Sequence, residues 1–149
     1  MKTKVNEIAI SYRGEAQLNE LPKINCSKDA ADLLFENWDA DTIGLQESFK
    51  IVLLNNANRV KGIYLVSTGG ITGTLVDLRI VFAVVLKSLS TALILSHCHP
   101  SGTLRPSEAD KKLTEKIKMA ASYLDVKLLD HLIIVPNGTY FSFADEGIL

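Results

Sequence analysis

The chain has 149 residues, 47% of them hydrophobic, and 16 basic against 17 acidic side chains give a formal net charge of −1. This suffices for a single domain spanning 1–149 with a substantial core, and it provides no basic field to draw in nucleic acid. Two cysteines make no disulfide framework, no signal peptide is visible at Met1-Lys2-Thr3-Lys4, and every apolar stretch falls short of the ~20 residues of a membrane helix, which points to a reducing, cytoplasmic setting.

Residues 5–12 alternate enough to form an edge strand inside an N-terminal extension, residues 1–23. Ser27 can cap a helix over 28–38, with Ala30, Ala31, Leu33, Leu34 and Trp38 on its inner side. Residues 49–54 and 60–67, joined by Asn55-Asn56-Ala57-Asn58-Arg59, read as a hairpin whose turn tolerates left-handed backbone. Gly69, Gly70 and Gly73 mark a loop that either borders a cleft or simply turns the chain. Residues 76–90 are apolar almost all round, so a helix there is expected to pack on more than one side.

Residues 91–95 are an apolar run with strand character. From 107 to 124 the pattern is amphipathic, with Leu113, Ile117, Ala121 and Leu124 inward and a lysine-rich solvated face outward. Residues 126–129 and 131–135 read as two strands, and His131, in an apolar context, as a structural histidine rather than a third imidazole ligand. Asn137-Gly138 signals a type I′ hairpin leading into residues 139–143. No internal repeat interrupts this order. The fold expected is mixed α/β, a central sheet flanked by helices.

The chemistry concentrates where the run 91–95 ends, in Ser96-His97-Cys98-His99-Pro100-Ser101-Gly102-Thr103-Leu104-Arg105-Pro106-Ser107-Glu108-Ala109-Asp110. Alternate residues of a strand share a face, so His97 and His99 project side by side at its carboxyl end, where open α/β sheets place their ligands. Asp110 returns after a Gly/Pro loop. It also fits an ordinary role three positions after a helix cap at Ser107, and the two roles are compatible because a helix start presents a carboxylate rigidly. Two imidazoles and one carboxylate form the ligand set of a catalytic zinc with its fourth position open to water. The same set can hold iron.

His-x-His, seven residues, Ser, two residues, Asp resembles the signature of the JAMM (JAB/MPN) metalloproteases, carried here by His97, His99, Ser107 and Asp110. His-x-His-Pro-Ser-Gly, Pro-Ser-x-x-Asp and Leu128-Leu129-Asp130-His131-Leu132-Ile133-Ile134 together resemble the RadC-like branch, over about residues 24–144. The resemblance implies a JAB/MPN, cytidine-deaminase-like architecture, Zn2+ as cofactor, and hydrolysis of a peptide or isopeptide bond in a peptide or protein substrate. It also implies a glutamate general base, for which Glu47 in Gln46-Glu47-Ser48-Phe49-Lys50 fits. On residue type alone Glu47 is a solvated side chain at a strand start. Ser107, by the same resemblance, donates a hydrogen bond to the developing oxyanion.

The chain departs from that pattern in two places. Cys98 stands where relatives carry Asn, with its thiol expected to point away from the metal and to be structural. Asp77 and Leu78 replace a His-Pro pair, while Arg79, Val81 and Phe82 remain. Only 46 residues precede Glu47, too few for the helix-hairpin-helix region of the full-length RadC arrangement as well as a first strand and helix.

Neither the His-x-Glu and Pro-Cys-x-x-Cys words of zinc deaminases nor the His-Glu-x-x-His of zincins occurs, and three histidines are too few for binuclear amidohydrolases. Beside the zinc hydrolase stand two other readings: a DNA-repair-associated accessory protein, which the charge balance does not support, and a domain with a purely structural metal site.

Overall fold

The structure, a computed structural model, describes residues 3–9 and 11–149. Its elements follow in the order α1 (Ser27–Glu36), β1 (Ser48–Leu54), β2 (Val60–Thr68), α2 (Leu78–Lys87), β3 (Ala92–Cys98), α3 (Glu108–Tyr123), β4 (Lys127–Ile134) and β5 (Tyr140–Ser142). The strands form one mixed sheet in the order β2-β1-β3-β4-β5. β1 is antiparallel to both β2 and β3, β3 is parallel to β4 across α3, and β4 is antiparallel to β5.

β3 is the middle strand and every residue of it is buried, which is why its first four residues, Ala92 to Leu95, are a continuous apolar run rather than an alternation. Period-two alternation in β1 sends Val52 and Leu54 to one face of the sheet, where they meet Ala30, Ala31 and Leu34 of α1. Phe49, Ile51 and Leu53 go to the other face, against Val81 and Val85 of α2 and Ile117 and Ala121 of α3. The result is a three-layer α/β fold consistent with the JAB/MPN architecture. Among the described residues no helix is long and apolar enough to cross a membrane.

Several expectations need correcting. Of the edge strand at 5–12, Ile10 lies outside the described residues, and the rest pair with no strand: Val5 and Ile8 are 84% and 88% exposed, so no buried face drives pairing. Cys26, not Ser27, is the N-cap of α1 and supplies no side-chain capping bond; the Ser27 hydroxyl instead donates to Asp145, at 2.5 Å. α2 packs one side only, with Ile80 and Leu86 open to solvent, because the sheet lies behind it and none of the described residues covers its front. On α3 the inward residue one turn after Asp110 is Thr114, whereas Leu124, beyond the last helical turn, is 42% exposed.

Residues 127–134 form a single strand, and a register shift replaces the expected break: Leu93 pairs with Leu128, but Ile94 pairs with Asp130. The hairpin at Asn137-Gly138 is not type I′, since only Gly138 has positive φ (86°) and its amide donates to the Val135 carbonyl. Pro136 and Asn137 therefore occupy the centre of a type I-like turn, which the fixed φ of Pro136 favours, and Gly138 follows in the left-handed region.

The glycine loop after β2 is held tightly against the start of β1. The Gly69 amide donates to the Glu47 carbonyl (2.8 Å), and the Glu47 amide donates to that of Gly70 (2.9 Å). A Cβ at Gly69 would meet the Gly73 carbonyl oxygen at 2.0 Å, whereas one at Gly70 meets nothing within 4 Å. Gly69→Ala should therefore destabilise the protein by about 1–3 kcal/mol, as overpacking does, while Gly70→Ala should stay within about 0.5 kcal/mol. Urea denaturation midpoints of the two variants check this; equal midpoints would refute the close-approach account.

Candidate metal centre

Three elements converge on one point. β3 delivers buried His97 in its last turn of alternation, and the chain then leaves the sheet through His99, whose amide still donates to the Ile134 carbonyl of β4 (3.0 Å). Cys98 between them faces the opposite side, in the α1 cluster, with its thiol donating to the Gln46 carbonyl (3.3 Å). Burial raises the Cys98 pKa and keeps it a thiol.

The third element is the start of α3, fixed by a capping box. The Asp110 amide donates to the Ser107 hydroxyl oxygen (3.0 Å), and the Ser107 amide donates to Asp110 Oδ2 (2.8 Å). The same Oδ2 faces both imidazoles, 3.4 Å from His97 Nε2 and 3.6 Å from His99 Nε2, and the two Nε2 atoms lie 2.9 Å apart. His97, His99 and Asp110 thus present three donor atoms that can hold one metal ion.

The far nitrogens of both rings are committed. His99 Nδ1 donates to the Thr103 carbonyl (2.7 Å), and His97 Nδ1 lies 2.8 Å from His131 Nε2. Burial opposes charge on His99, but the Asp110 carboxylate and the Thr103 carbonyl outweigh it and raise its pKa, with Glu47 adding a smaller contribution. Burial likewise opposes ionisation of Asp110, yet the His97 and His99 imidazoles facing it hold its carboxyl well below the usual carboxylate range. His131, fully buried, is driven well below the ordinary histidine value by desolvation and then by the charge of His97.

Over these donors lies an open cavity of about 370 Å³. Glu47, Thr74, His99, Ser107 and Asp110 line it, and Gly73 of the glycine loop forms part of its wall, so that loop borders the cleft as well as turning the chain. Glu47 is half-buried, its backbone held by the Gly69 amide and the Gly70 carbonyl, while Ser107 is exposed at the mouth. Sequence reasoning missed one residue here, Thr114. Its signal was the spacing Thr114, Ile117, Ala121, which puts a hydroxyl on the buried stripe one turn after Asp110.

Residues 24–148 match the model of the RadC-like JAB domain family. A UPF0758 protein of Flavobacterium johnsoniae is 50% identical over 131 residues, 87% of this chain and 55% of its own length. One from Porphyromonas gingivalis is 45% identical over 104 residues, 70% and 46% of the two chains. One from Thermosynechococcus vestitus is 35% identical over 135 residues, 91% and 50%. The chain spans about half the length of the curated relatives it matches.

The shifted groups set a pH signature. Asp110, lowered from 3.8, contributes stability present above that value and lost as pH falls toward its folded pKa. His99, raised from 6.5, contributes stability fully present below that value and lost as pH rises through its folded pKa. His131, lowered well below 6.5, costs stability progressively as pH falls under that value, so metal-free protein should melt at its highest temperature near pH 6.5 and at lower temperatures on either side. A metal requires neutral imidazoles, so the increase in Tm on adding zinc should grow over the same upper interval. Melting curves across pH, with chelator and with zinc, check both; a metal-free Tm that rises above pH 6.5 would contradict the assignment.

Proposed function

The chain belongs to the RadC-like JAB domain family, and from that premise we propose that it is a zinc-dependent hydrolase of peptide or isopeptide bonds, of the JAMM metallopeptidase type. The observation that carries the reading is the donor triangle, with edges of 2.9, 3.4 and 3.6 Å. Ligand atoms placed tetrahedrally around zinc sit roughly 3.3–3.6 Å apart; both edges to Asp110 match that spacing, and the 2.9 Å edge between the imidazoles has only to open by a few tenths of an ångström.

A zinc ion held by His97, His99 and Asp110 would supply a Lewis acid there and would lower the pKa of a bound water to roughly 7. Glu47, lining the same cavity, accepts the proton of the attacking water and returns it to the departing amine. The Ser107 oxygen accepts from the Asp110 amide, which leaves its hydroxyl proton free to donate into the cavity toward the oxyanion of the scissile carbonyl. The stretch Thr72–Gly73–Thr74 and the exposed mouth leave room for an extended chain to approach.

Two features favour this over a structural metal site. Structural zinc is closed by four protein ligands, whereas among the described residues the cluster contains three. The opening over it also carries a carboxylate and a hydroxyl suited to proton transfer and oxyanion binding. The balanced charge gives no support to a nucleic-acid role. Free Cys26 and Cys98 agree with a reducing, cytoplasmic setting.

Glu47→Gln should leave zinc stoichiometry unchanged and lower cleavage by about 10²–10⁴, measured by mass spectrometry on a library of peptide and isopeptide-linked substrates. Zinc-loaded wild type that cleaves nothing, or a Glu47→Gln variant as active as wild type, would overturn the proposal. Ser107→Ala should reduce kcat by about 10²–10³ and, through loss of the cap, stability by about 1 kcal/mol. Paired kinetics and denaturation on that variant separate the two losses.

A further inference from the structure

Behind the donor triangle runs a chain of hydrogen bonds with a single consistent polarity. The Thr114 hydroxyl donates to the Asp110 carbonyl, its neighbour one helical turn back (2.7 Å), because a carbonyl only accepts. The Thr114 oxygen, 2.6 Å from His131 Nδ1, must then accept from that nitrogen. A neutral ring with its proton on Nδ1 has a bare Nε2, so His131 Nε2 accepts from His97 Nδ1 at 2.8 Å. His97 in turn has a bare Nε2, facing His99 and Asp110.

We propose that His131 and Thr114 are positioning residues that fix the tautomer and ring orientation of His97, so that its Nε2 lone pair stands ready for the metal. The inference rests on the metal-centre reading above. It makes the site a closed circuit, since the path from Asp110 through Thr114, His131 and His97 returns to the Asp110 carboxylate.

The backbone is bent to make this circuit. Leu128 of β4 lies in the α2/α3 cluster, while Leu129 packs against the α1 cluster and Asp130 lines a cavity beside Ile24 and Ile94 on that same face. Two successive residues share a face at the register shift, the mark of a β-bulge, and the next residue, His131, is thereby returned to the metal face. Without the extra residue, alternation from Leu128 would have sent His131 to the α1 side. Buried Asp130 pins the bulge by accepting from the His131 amide (2.7 Å), the Ser142 hydroxyl (2.6 Å) and the Ala144 amide (3.0 Å). A histidine that merely filled core would need none of these devices.

Thr114→Val keeps the shape and removes the acceptor; Thr114→Ser keeps the hydroxyl. His131→Leu removes both nitrogens, whereas His131→Gln offers an oxygen to His97 and an amide to Thr114. Competition with a chromophoric chelator should show zinc affinity falling about 10–100-fold in Thr114→Val and His131→Leu, with most of it restored in Thr114→Ser and His131→Gln. Long-range proton–nitrogen spectra of metal-free protein at alkaline pH should show the His97 proton on Nδ1 in wild type and Thr114→Ser, and shifted toward Nε2 in Thr114→Val. If His131→Leu does not fold, the near-isosteric Thr114→Val carries the test.

A Thr114→Val variant with wild-type zinc affinity and an unchanged His97 tautomer would overturn the proposal, as would a wild-type His97 protonated on Nε2. Wild type that binds no zinc would instead sink the metal-centre reading. The tautomer spectra, taken without metal, still decide the inference in that case.

Discussion

Two imidazole nitrogens held 2.9 Å apart, each on a ring whose other nitrogen is already committed, are the constraint around which this fold is arranged. A neutral imidazole has one proton, so once Nδ1 donates to a carbonyl or to a neighbouring ring, Nε2 is a bare lone pair. Two such lone pairs facing each other beside a carboxylate repel unless a cation lies between them. The Asp110 oxygen that completes the set is also the acceptor of the capping box. The start of α3 and the donor triangle are therefore one structure: moving the helix moves the ligand.

Burying so much polarity against a sheet is costly unless each group finds a partner. Here the histidines and Thr114 satisfy one another. The rings are also gripped by carbon: Phe49 stacks on His97 (centroids 6.2 Å apart) and Phe143 on His131 (4.6 Å). Such walls fix ring planes without competing for protons. Among the described residues the one buried side-chain polar atom without a partner is Ser96 Oγ, next to the centre on β3. The network lies between the apolar cluster of α2 and α3 and the open cavity.

Much of this was legible in the residues. The His-x-His pair at the end of an apolar run, and a carboxylate three positions after a capping serine, are local patterns whose geometry follows from strand and helix periodicity alone. The hairpin of β1 and β2 and the α/β class followed from the same periodicities. What escaped was non-local. His131 reads as core because its partners lie 34 and 17 residues away, on β3 and α3. A bulge leaves no period of its own, so residues 127–134 look like two strands rather than one with an extra residue. The described residues of the segment at 5–12 alternate in sequence yet pair with no described strand, and the apolar circumference of α2 does not reveal that only one side is covered by described residues.

The same contrast separates the centre of the site from its approach. Asp77, one of the two positions where the chain departs from its family's word, caps α2 by accepting from the Arg79 amide and is forked by the Arg79 guanidinium, all at the surface. Asp77 thus fills a helix-capping role that any short acceptor serves, and neither it nor Leu78 lines the cavity over the donors. Between β2 and α2 the chain instead exposes Ile71 and Leu75, 76% and 92% accessible, beside Gly73 in the wall of the cleft. The donor triangle is locked by buried partners on three elements, so substitution there costs the centre itself. The rim is held through backbone hydrogen bonds of Gly69 and Gly70, which leave the Ile71 and Leu75 side chains exposed. The loop from Gly69 to Asp77 is therefore the exposed edge of the cleft, and His97, His99 and Asp110, which can hold a metal ion, are its anchored end.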